Sequence, residues 1–393
     1  METLAELERW GLALRRREGG LPHASAAPGH KTPRLTGCGD STVREVTRVL
    51  EEQAIKRGIQ RNADSIPLSI VSDNSQVRGV VTLDVPTGRI DSIQTKAVIL
   101  ATEGHQGLWS KPSDGSGTGS ALAISAGIDL KGMEITPRHP LTIRDCGIHI
   151  PLDVLGSGGR IRRENGDDVG PEEALEGEPC VLDLRQMDAD AKVWFSQTSM
   201  RIMDRLGIDI SKDVIPLSPG VAYTTGGAPS DAQGRVVFQG HTTEGLPAEL
   251  WHTGLYAAGR SAHTGMHGSN ALPGNLLLDD LVSGKAAGEH ASEWATEIKF
   301  GGNTQIEEAV KGESARISSI MGGDGMAVAK FHSKLTSAIS SGSSNEASLA
   351  EVRAIKDTGI SLTDTSSVMN TEMAEALRLV GLASVAEAIL TSG

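Results

Sequence analysis

Two short segments carry the groups best suited to chemistry, Gly254–Arg260 (GLYAAGR) and His267–Asp279 (HGSNALPGNLLLD). The first reads as an apolar strand that ends in a glycine-rich loop, and in the second Pro273 opens a helix at a position where proline is tolerated. Gly274 lets the backbone approach a ligand closely. Free N–H groups at a helix start, with the positive end of the helix dipole, suit an anion or the electron-rich edge of a ring. The pattern therefore predicts either a ligand site or an ordinary strand–loop–helix connection.

A reduced flavin is one ring system of this kind, because negative charge builds up at its pyrimidine edge. On this interpretation Asn275, Leu276 and Leu277 contact the cofactor. A metal site is the weaker alternative. His263 and His267 have i,i+4 spacing, but glycines interrupt the segment and no third ligand accompanies them. We therefore predict no metal.

The elements that must position these segments follow from hydrophobic spacing. Apolar residues recur with helical period over 2–18, and Asp40–Ile59 predicts a helix whose buried stripe is Val43, Val46, Val49, Leu50 and Ala54. Residues after Glu289 read as polar helices, with a Gly/Ser-rich linker at Ser340–Ser344. The predicted strands are Ile66–Val71, Val77–Leu83 and Ile93–Leu100, the last two joined by a Thr87-Gly88 turn, and further helices are predicted over Ser116–Gly127 and Ala191–Leu206.

Composition narrows the class of protein. The chain has 393 residues, 47 of them glycine, only 3% aromatic residues and a net charge of −13, which argues against nucleic acid as a partner. Cys38, Cys146 and Cys180 are widely spaced, which indicates a reducing compartment and neither an iron–sulfur cluster nor a zinc site in this chain. The acidic N-terminus does not resemble a signal peptide, and the longest apolar run, Ala97–Ala101, is too short to span a bilayer. We expect a cytoplasmic chain that is either soluble or peripheral on the cytoplasmic membrane through partner subunits.

Beyond these features, seven segments in the same order resemble the flavoprotein subunit family of succinate dehydrogenase and fumarate reductase. The strongest is the opening pair, which resembles G-L-[FY]-A-x-G-E followed by H-G-x-N-R-L-G-x-N-S-L-L. The other five are Glu6–Leu12, similar to the helix before the substrate loop; Lys96–Gly104, similar to a strand ending in A-T-G-G; Asp114–Ala121, similar to T-G-D-G-x-G-M-A; Arg138–Pro140, similar to Q-F-H-P-T; and Val221–Pro229, similar to V-H-Y-x-M-G-G-I-P. Asp364–Leu377 also resembles the family's C-terminal helical region.

The resemblance implies an α/β fold with an α+β capping insert: a partial FAD-binding domain, a capping domain and a C-terminal helical region. The boundaries we expect are 1–132 and 223–298 for the two parts of the FAD-binding domain, 133–222 for the capping domain and 299–393 for the helical region. It also implies FAD, an iron–sulfur partner subunit of a membrane-associated complex and succinate–fumarate redox coupled to quinone. The cofactor-contacting positions carried over are Ala101, Thr102, Gly104, Ser116, Gly259, Arg260, Asn275, Leu276 and Leu277.

For catalysis, the family clamps a dicarboxylate with two histidines, an arginine and a Thr-Glu pair, and a second arginine moves the proton. Here His139 matches the first histidine, whereas Ala222 replaces the second histidine and Ala271 the clamp arginine. Pro151 and Leu152 stand where the Thr-Glu pair belongs, and Arg185 lies near the shortened shuttle segment without aligning to it. Arg260 replaces a flavin-contacting glutamate, a change that alters the flavin's electrostatics unless an acidic neighbour such as Asp279 or Asp280 pairs with it.

The sequence also has no G-x-G-x-x-G turn for seating a pyrophosphate. We therefore expect the chain to lack the N-terminal dinucleotide-binding unit and the C-terminal end of the family, and to bind FAD weakly or not at all by itself. Three hypotheses remain open: a subunit whose missing unit comes from a separate chain, a non-catalytic scaffold that binds a partner, and a flavoenzyme with a different substrate. A groove open toward the missing unit should expose Val98 and Leu100.

Overall fold

The computed structural model describes residues 2–109, 115–176, 178–341 and 344–392. Its helices are α1 Glu2–Arg9, α2 Thr42–Lys56, α3 Thr118–Ser125, α4 Asp153–Gly156, α5 Ala189–Trp194, α6 Ser196–Leu206, α7 Asn275–Glu297, α8 Thr304–Met321, α9 Val328–Ser340, α10 Asn345–Thr358 and α11 Thr371–Thr391. Its strands are β1 Ser65–Asp73, β2 Gln76–Asp84, β3 Arg89–Gln94, β4 Val98–Leu100, β5 Arg138–His139, β6 Arg160–Arg163, β7 Asp168–Val169, β8 Cys180–Asp183, β9 Ile215–Pro216, β10 Gly220–Val221, β11 Ala228–Pro229, β12 Arg235–His241, β13 Pro247–Ala257, β14 Ala262–His263, β15 Met326–Ala327 and β16 Ile360–Ser361. This mixture of helix and sheet agrees with the α/β prediction.

The chain divides into two compact units. The first comprises residues 1–61, 138–222 and 271–278, and the second 62–137, 223–270 and 279–393. The division predicted from motifs, at 132/133, 222/223 and 298/299, stays a prediction about domains.

The first unit is built on a small antiparallel sheet of order β7-β6-β8-β9. Strands β5 and β10 form a separate two-stranded antiparallel sheet in the same unit. Its apolar core joins the sheet to α4, α5 and α6, with Ile161, Leu182 and Ile215 from the strands and Val154, Ala191 and Ile202 from the helices. Burial of these side chains is the main stabilising term for the unit.

The second unit is organised around β13. This strand pairs in parallel with β4 and β2 and antiparallel with β12, while β1, β2 and β3 form an antiparallel meander. One core packs α3 on this sheet, with Leu100, Leu122, Val236 and Leu255 at its centre. A second core joins α9, α10 and α11.

Several predicted boundaries are wrong, for identifiable reasons. The helix predicted over 2–18 ends at Arg9, because Gly11 has a φ of 106°, outside helical conformations. The strand predicted over 93–100 is two strands, since the chain leaves its antiparallel partner β2 after Gln94 and joins β13 in parallel at Val98. The helix predicted over 191–206 is two helices that meet at Phe195.

Burial corrects two further predictions. In α2, Val46 and Val49 are buried as expected, but Val43 and Leu50 are exposed, so the stripe is narrower than predicted. Leu100 is 3% exposed because its pairing with β13 points it into the core, whereas its neighbour Ile99 is 38% exposed on the other face. The expectation that Leu100 is surface-exposed is therefore wrong.

Candidate functional site

A hydrogen-bonded junction in the second unit joins three of the predicted segments. Ser261, directly after the Gly259 loop, accepts the backbone N–H of Thr102 at 2.8 Å and donates to the carbonyl oxygen of Thr102 at 2.9 Å. The two hydroxyl oxygens lie 3.0 Å apart, and the Thr102 hydroxyl oxygen accepts the N–H of Gly119 in α3 at 2.9 Å. The strand end, the glycine loop and the start of α3 are thus fastened together at one point.

The turn before α3 is fastened by the same strand end. Gly117 donates its N–H to the carbonyl of Gly104 at 3.0 Å. The side chain of Glu103 accepts the N–H groups of Gly115 at 2.9 Å and Ser116 at 3.3 Å. Gly104 is buried and Ala101 is exposed, so the predicted cofactor residues of this strand end face both the core and the surface.

Gly259 and Arg260 contact the N-terminal half of α7. The N–H of Gly259 donates to the Ser283 hydroxyl at 2.8 Å, and Arg260 Nη2 lies 3.6 Å from Asp280 Oδ2. Burial raises the pKa of Asp280, and the Arg260 charge opposes that rise. Arg260 Nε is buried and has no hydrogen-bond partner among the described residues. The arginine thus has an acidic neighbour, and the one present is Asp280.

The two histidines considered for a metal have separate partners. His263 Nδ1 lies 2.9 Å from the carbonyl oxygen of Thr225, whereas His267 Nε2 lies 3.0 Å from Asp279 Oδ2. Each ring therefore has its own acceptor within the second unit, and the pair is explained by structural hydrogen bonds.

Asn275, Leu276 and Leu277 begin α7 and belong to the first unit. The N–H of Asn275 donates to the carbonyl of Leu272 at 3.0 Å, and His30 Nε2 lies 2.9 Å from the carbonyl oxygen of Pro273. These contacts fix the turn that leads into the helix. The flavin contacts assigned to the three residues stay predictions.

His139, the predicted catalytic residue, also lies in the first unit. Its Nε2 lies 2.8 Å from the carbonyl oxygen of Ile150, and since a carbonyl only accepts, this nitrogen carries the proton. Burial lowers the pKa of His139 to about 4, against the opposing effect of the Ile150 hydrogen bond. At neutral pH the ring is uncharged and its single N–H is committed to the backbone, so it offers a carboxylate neither charge nor a donor.

Arg185 is likewise committed. Its Nε and Nη2 bond both oxygens of Asp183 at 2.9 Å each, a bidentate pair. The Arg185 guanidinium holds the pKa of Asp183 at about 2. Arg185 thus acts as a counter-ion to a nearly buried carboxylate, not as a free proton shuttle.

Four residues of this geometry were not singled out from the sequence: Ser261, Ser283, Glu103 and His149. Ser261 and Ser283 act over separations of 159 and 24 residues, which no local period reports. His149 packs edge-on against His139 with ring centroids 5.7 Å apart. Of the four, only Glu103 could have been noticed in the sequence, because it stands where the A-T-G-G segment of the family has a glycine.

The comparisons with known proteins agree on one family. The FAD binding domain family matches residues 1–277. The fumarate reductase flavoprotein subunit of Escherichia coli K12 is 26% identical over 99% of this chain and 71% of its own length. The 8-methylmenaquinol:fumarate reductase flavoprotein subunit of Wolinella succinogenes is 27% identical over 82% of this chain and 56% of its own length.

Solved structures show the same fold. A quinol-fumarate reductase with menaquinol molecules superimposes with a TM-score of 0.88 and 25% identity, covering 99% of this chain and 74% of the other. In the described residues, no helix is both long and apolar enough to cross a membrane. The chain belongs to the FAD binding domain family, and along most of its length it is similar to flavoprotein subunits of fumarate reductase.

Proposed function

We propose that this chain is a flavoprotein subunit that keeps the framework around FAD but has lost the residues that hold and protonate a dicarboxylate. By itself it is then incomplete and inactive toward succinate and fumarate. The observation that carries the proposal is the junction of Thr102, Ser261 and Gly119, which fastens three segments resembling the family's flavin-contacting motifs. FAD would supply the redox chemistry when bound.

The residues fit FAD as a framework more than as a set of polar ligands. The N–H groups of Thr102, Ser116 and Gly259 are already paired with side chains of the chain itself. Among the side chains of the predicted cofactor residues described in the second unit, Arg260 Nε is a buried donor without a hydrogen-bond partner. One donor and van der Waals contact do not replace a pyrophosphate turn, whose hydrogen bonds to a charged group are worth about 1.5–3 kcal/mol each. The small number of free donors therefore supports weak binding of FAD by the isolated chain.

The substrate side supports inactivity for a separate reason. Two carboxylates need several cationic or N–H donors, and arginine supplies them best. Ala222 and Ala271 stand at two of the clamp positions, and His139 is neutral with its N–H taken.

The partners we propose are an iron–sulfur subunit of a membrane-associated complex, which would place the chain peripherally on the cytoplasmic membrane, and a polypeptide segment that supplies the pyrophosphate-binding turn. The E. coli and W. succinogenes relatives are named as fumarate reductase subunits, and one of them as acting with 8-methylmenaquinol. The proposed iron–sulfur subunit would carry electrons between flavin and quinone.

The test is the visible absorption spectrum of the purified protein, alone and co-expressed with neighbouring genes that encode G-x-G-x-x-G and H-T-x-x-A motifs. We expect a colourless protein alone and a stable yellow complex after co-expression. Stoichiometric flavin that survives gel filtration of the chain alone would contradict the incompleteness. A partner captured without any flavin would contradict the flavin function and favour a scaffold.

A further inference from the structure

Glu103 occupies an unusual position beside the turn that leads into α3. It follows Thr102 at the end of β4, in an A-T-E-G segment that resembles A-T-G-G. The residue as a whole is exposed, yet its carboxylate Oε2 accepts two successive N–H groups, from Gly115 at 2.9 Å and Ser116 at 3.3 Å. A carboxylate that accepts consecutive backbone N–H groups is doing what a bound anion does at such a turn.

The turn has the form of an anion-binding nest. Gly115 and Gly117 have φ angles of 90° and 65°, the left-handed conformation that turns successive N–H groups toward one side. Helix α3 begins directly afterwards at Thr118, so the positive end of its dipole points toward the turn. The N–H groups of Gly117 and Gly119 are paired with Gly104 and Thr102. The donors of Gly115 and Ser116 thus remain for an anion, and Glu103 takes both.

Gln106, whose side chain lies beside the same turn, gives a second and independent observation. Its side chain is 3% exposed, and its Oε1 has no hydrogen-bond partner among the described residues. A Cβ at position 115 would lie 2.5 Å from that oxygen, so the Gln106 amide faces the turn. The amide nitrogen of Gln106 would lie 2.7 Å from the same Cβ, so a buried polar side chain with an unpaired acceptor is directed at the turn beside the Glu103 carboxylate.

We propose that Glu103 is the resident anion of the turn at residues 115–119 and thereby denies this turn to phosphate or carboxylate groups of any ligand. Glu103 then determines specificity: with it in place the edge selects against anions, and without it the turn becomes an anion site. The inference rests on the proposed flavin function only because both concern the same framework of residues. Its test requires no flavin.

The experiment uses the full chain labelled with [15N]glycine, titrated with inorganic pyrophosphate at constant ionic strength. The readout is the amide resonances of Gly115, Gly117 and Gly119. In wild type we expect no saturable shift. In Glu103→Ala we expect a saturable shift, with an apparent affinity at least about ten-fold above the weakest binding that the titration of wild type would detect, as expected when hydrogen bonds to a charged group are gained. Glu103→Gln should lie between the two, because its amide oxygen still accepts N–H groups but carries no charge.

The matched control is Glu134→Gln, which removes an exposed glutamate of the same unit and should behave as wild type. Wild type that saturates at the same pyrophosphate concentration as Glu103→Ala would overturn the inference, since Glu103 would not then be filling the turn. A folded Glu103→Ala and Glu103→Gln that both show no saturable shift would overturn it as well. Neither result depends on flavin content, so failure here and failure of the proposed function are distinguishable.

Discussion

The guanidinium of Arg260 and the carboxylate of Asp280 lie 3.6 Å apart, joining the loop after β13 to α7. The pair neutralises the cation that replaces a family glutamate at position 260. The electrostatic effect of Arg260 on a bound flavin is therefore smaller than the replacement of a glutamate by an arginine alone implies. Because both side chains are about one-third exposed, solvent screens the pair.

A double-mutant cycle measures this pair. With Arg260→Gln and Asp280→Asn, we expect a coupling free energy of about 0.2–1 kcal/mol in urea unfolding at low salt, the range of partly exposed ion pairs. The coupling should fall as salt is added, because the pair is accessible to ions. Additive effects of the two substitutions at low salt would mean that the residues do not interact.

The Ser261 junction predicts a larger loss. Ser261 is 1% exposed, and Ser261→Ala leaves the N–H of Thr102 without its acceptor inside the protein. We expect the free energy of unfolding to drop by about 1–3 kcal/mol. Ser292→Ala is the control, since this exposed serine of α7 donates only to the carbonyl of Glu289; it should change stability by about 0.5 kcal/mol or less. Equal effects of the two variants would remove the junction's special role.

Much of this framework could be predicted because local patterns specify it. The alternation in Ile66–Val71 and Val77–Leu83 predicted strands that the structure confirms and extends by one or two residues at each end. What could not be predicted is long-range. The exchange of pairing partner after Gln94 depends on where β13 lies, and the hydroxyl of Ser261 meets Thr102 across 159 residues. Neither leaves a trace in a periodicity of two or 3.6 residues.

The site was less predictable than the fold for a related reason. The resemblance to the family predicts that His139 binds substrate, but whether its N–H is available depends on the carbonyl of Ile150 and on burial. The pairing of Arg260 with Asp280 rather than Asp279 likewise depends on the rotation of α7, and Asp279 contacts His267 instead.

Restoring the clamp residues should not restore turnover. In Ala222→His plus Ala271→Arg, supplied with flavin and the co-expressed partner, we expect negligible succinate oxidation and fumarate reduction. Removing one preorganised transition-state donor costs about 10²–10³ in rate. The Thr-Glu pair remains Pro151 and Leu152, and Arg185 stays bound to Asp183. Steady-state rates near those of an intact fumarate reductase assayed in parallel would contradict the assignment of the missing groups.

Asp153 predicts a pH dependence of stability in the first unit. Burial raises its pKa from 3.8 to about 6, with a further contribution from the nearby Asp40 charge. For a carboxyl whose folded pKa is raised, the stabilising contribution is fully present below pH 3.8 and is lost as the pH rises through about 6. Asp153→Asn removes the charge, so the variant does not lose this stability as the pH rises. We therefore expect the variant to exceed wild type in free energy of unfolding by about 1–3 kcal/mol at pH 8. Near pH 4 the two should be almost equally stable.

The control is Asp168→Asn. That exposed carboxyl pairs with Arg160 and Arg162 and has a lowered pKa, so its removal should not stabilise the protein at pH 8. Urea unfolding across this pH range checks the sign. An Asp153→Asn protein that is less stable than wild type at pH 8 would show that the ionised carboxylate is satisfied in the fold.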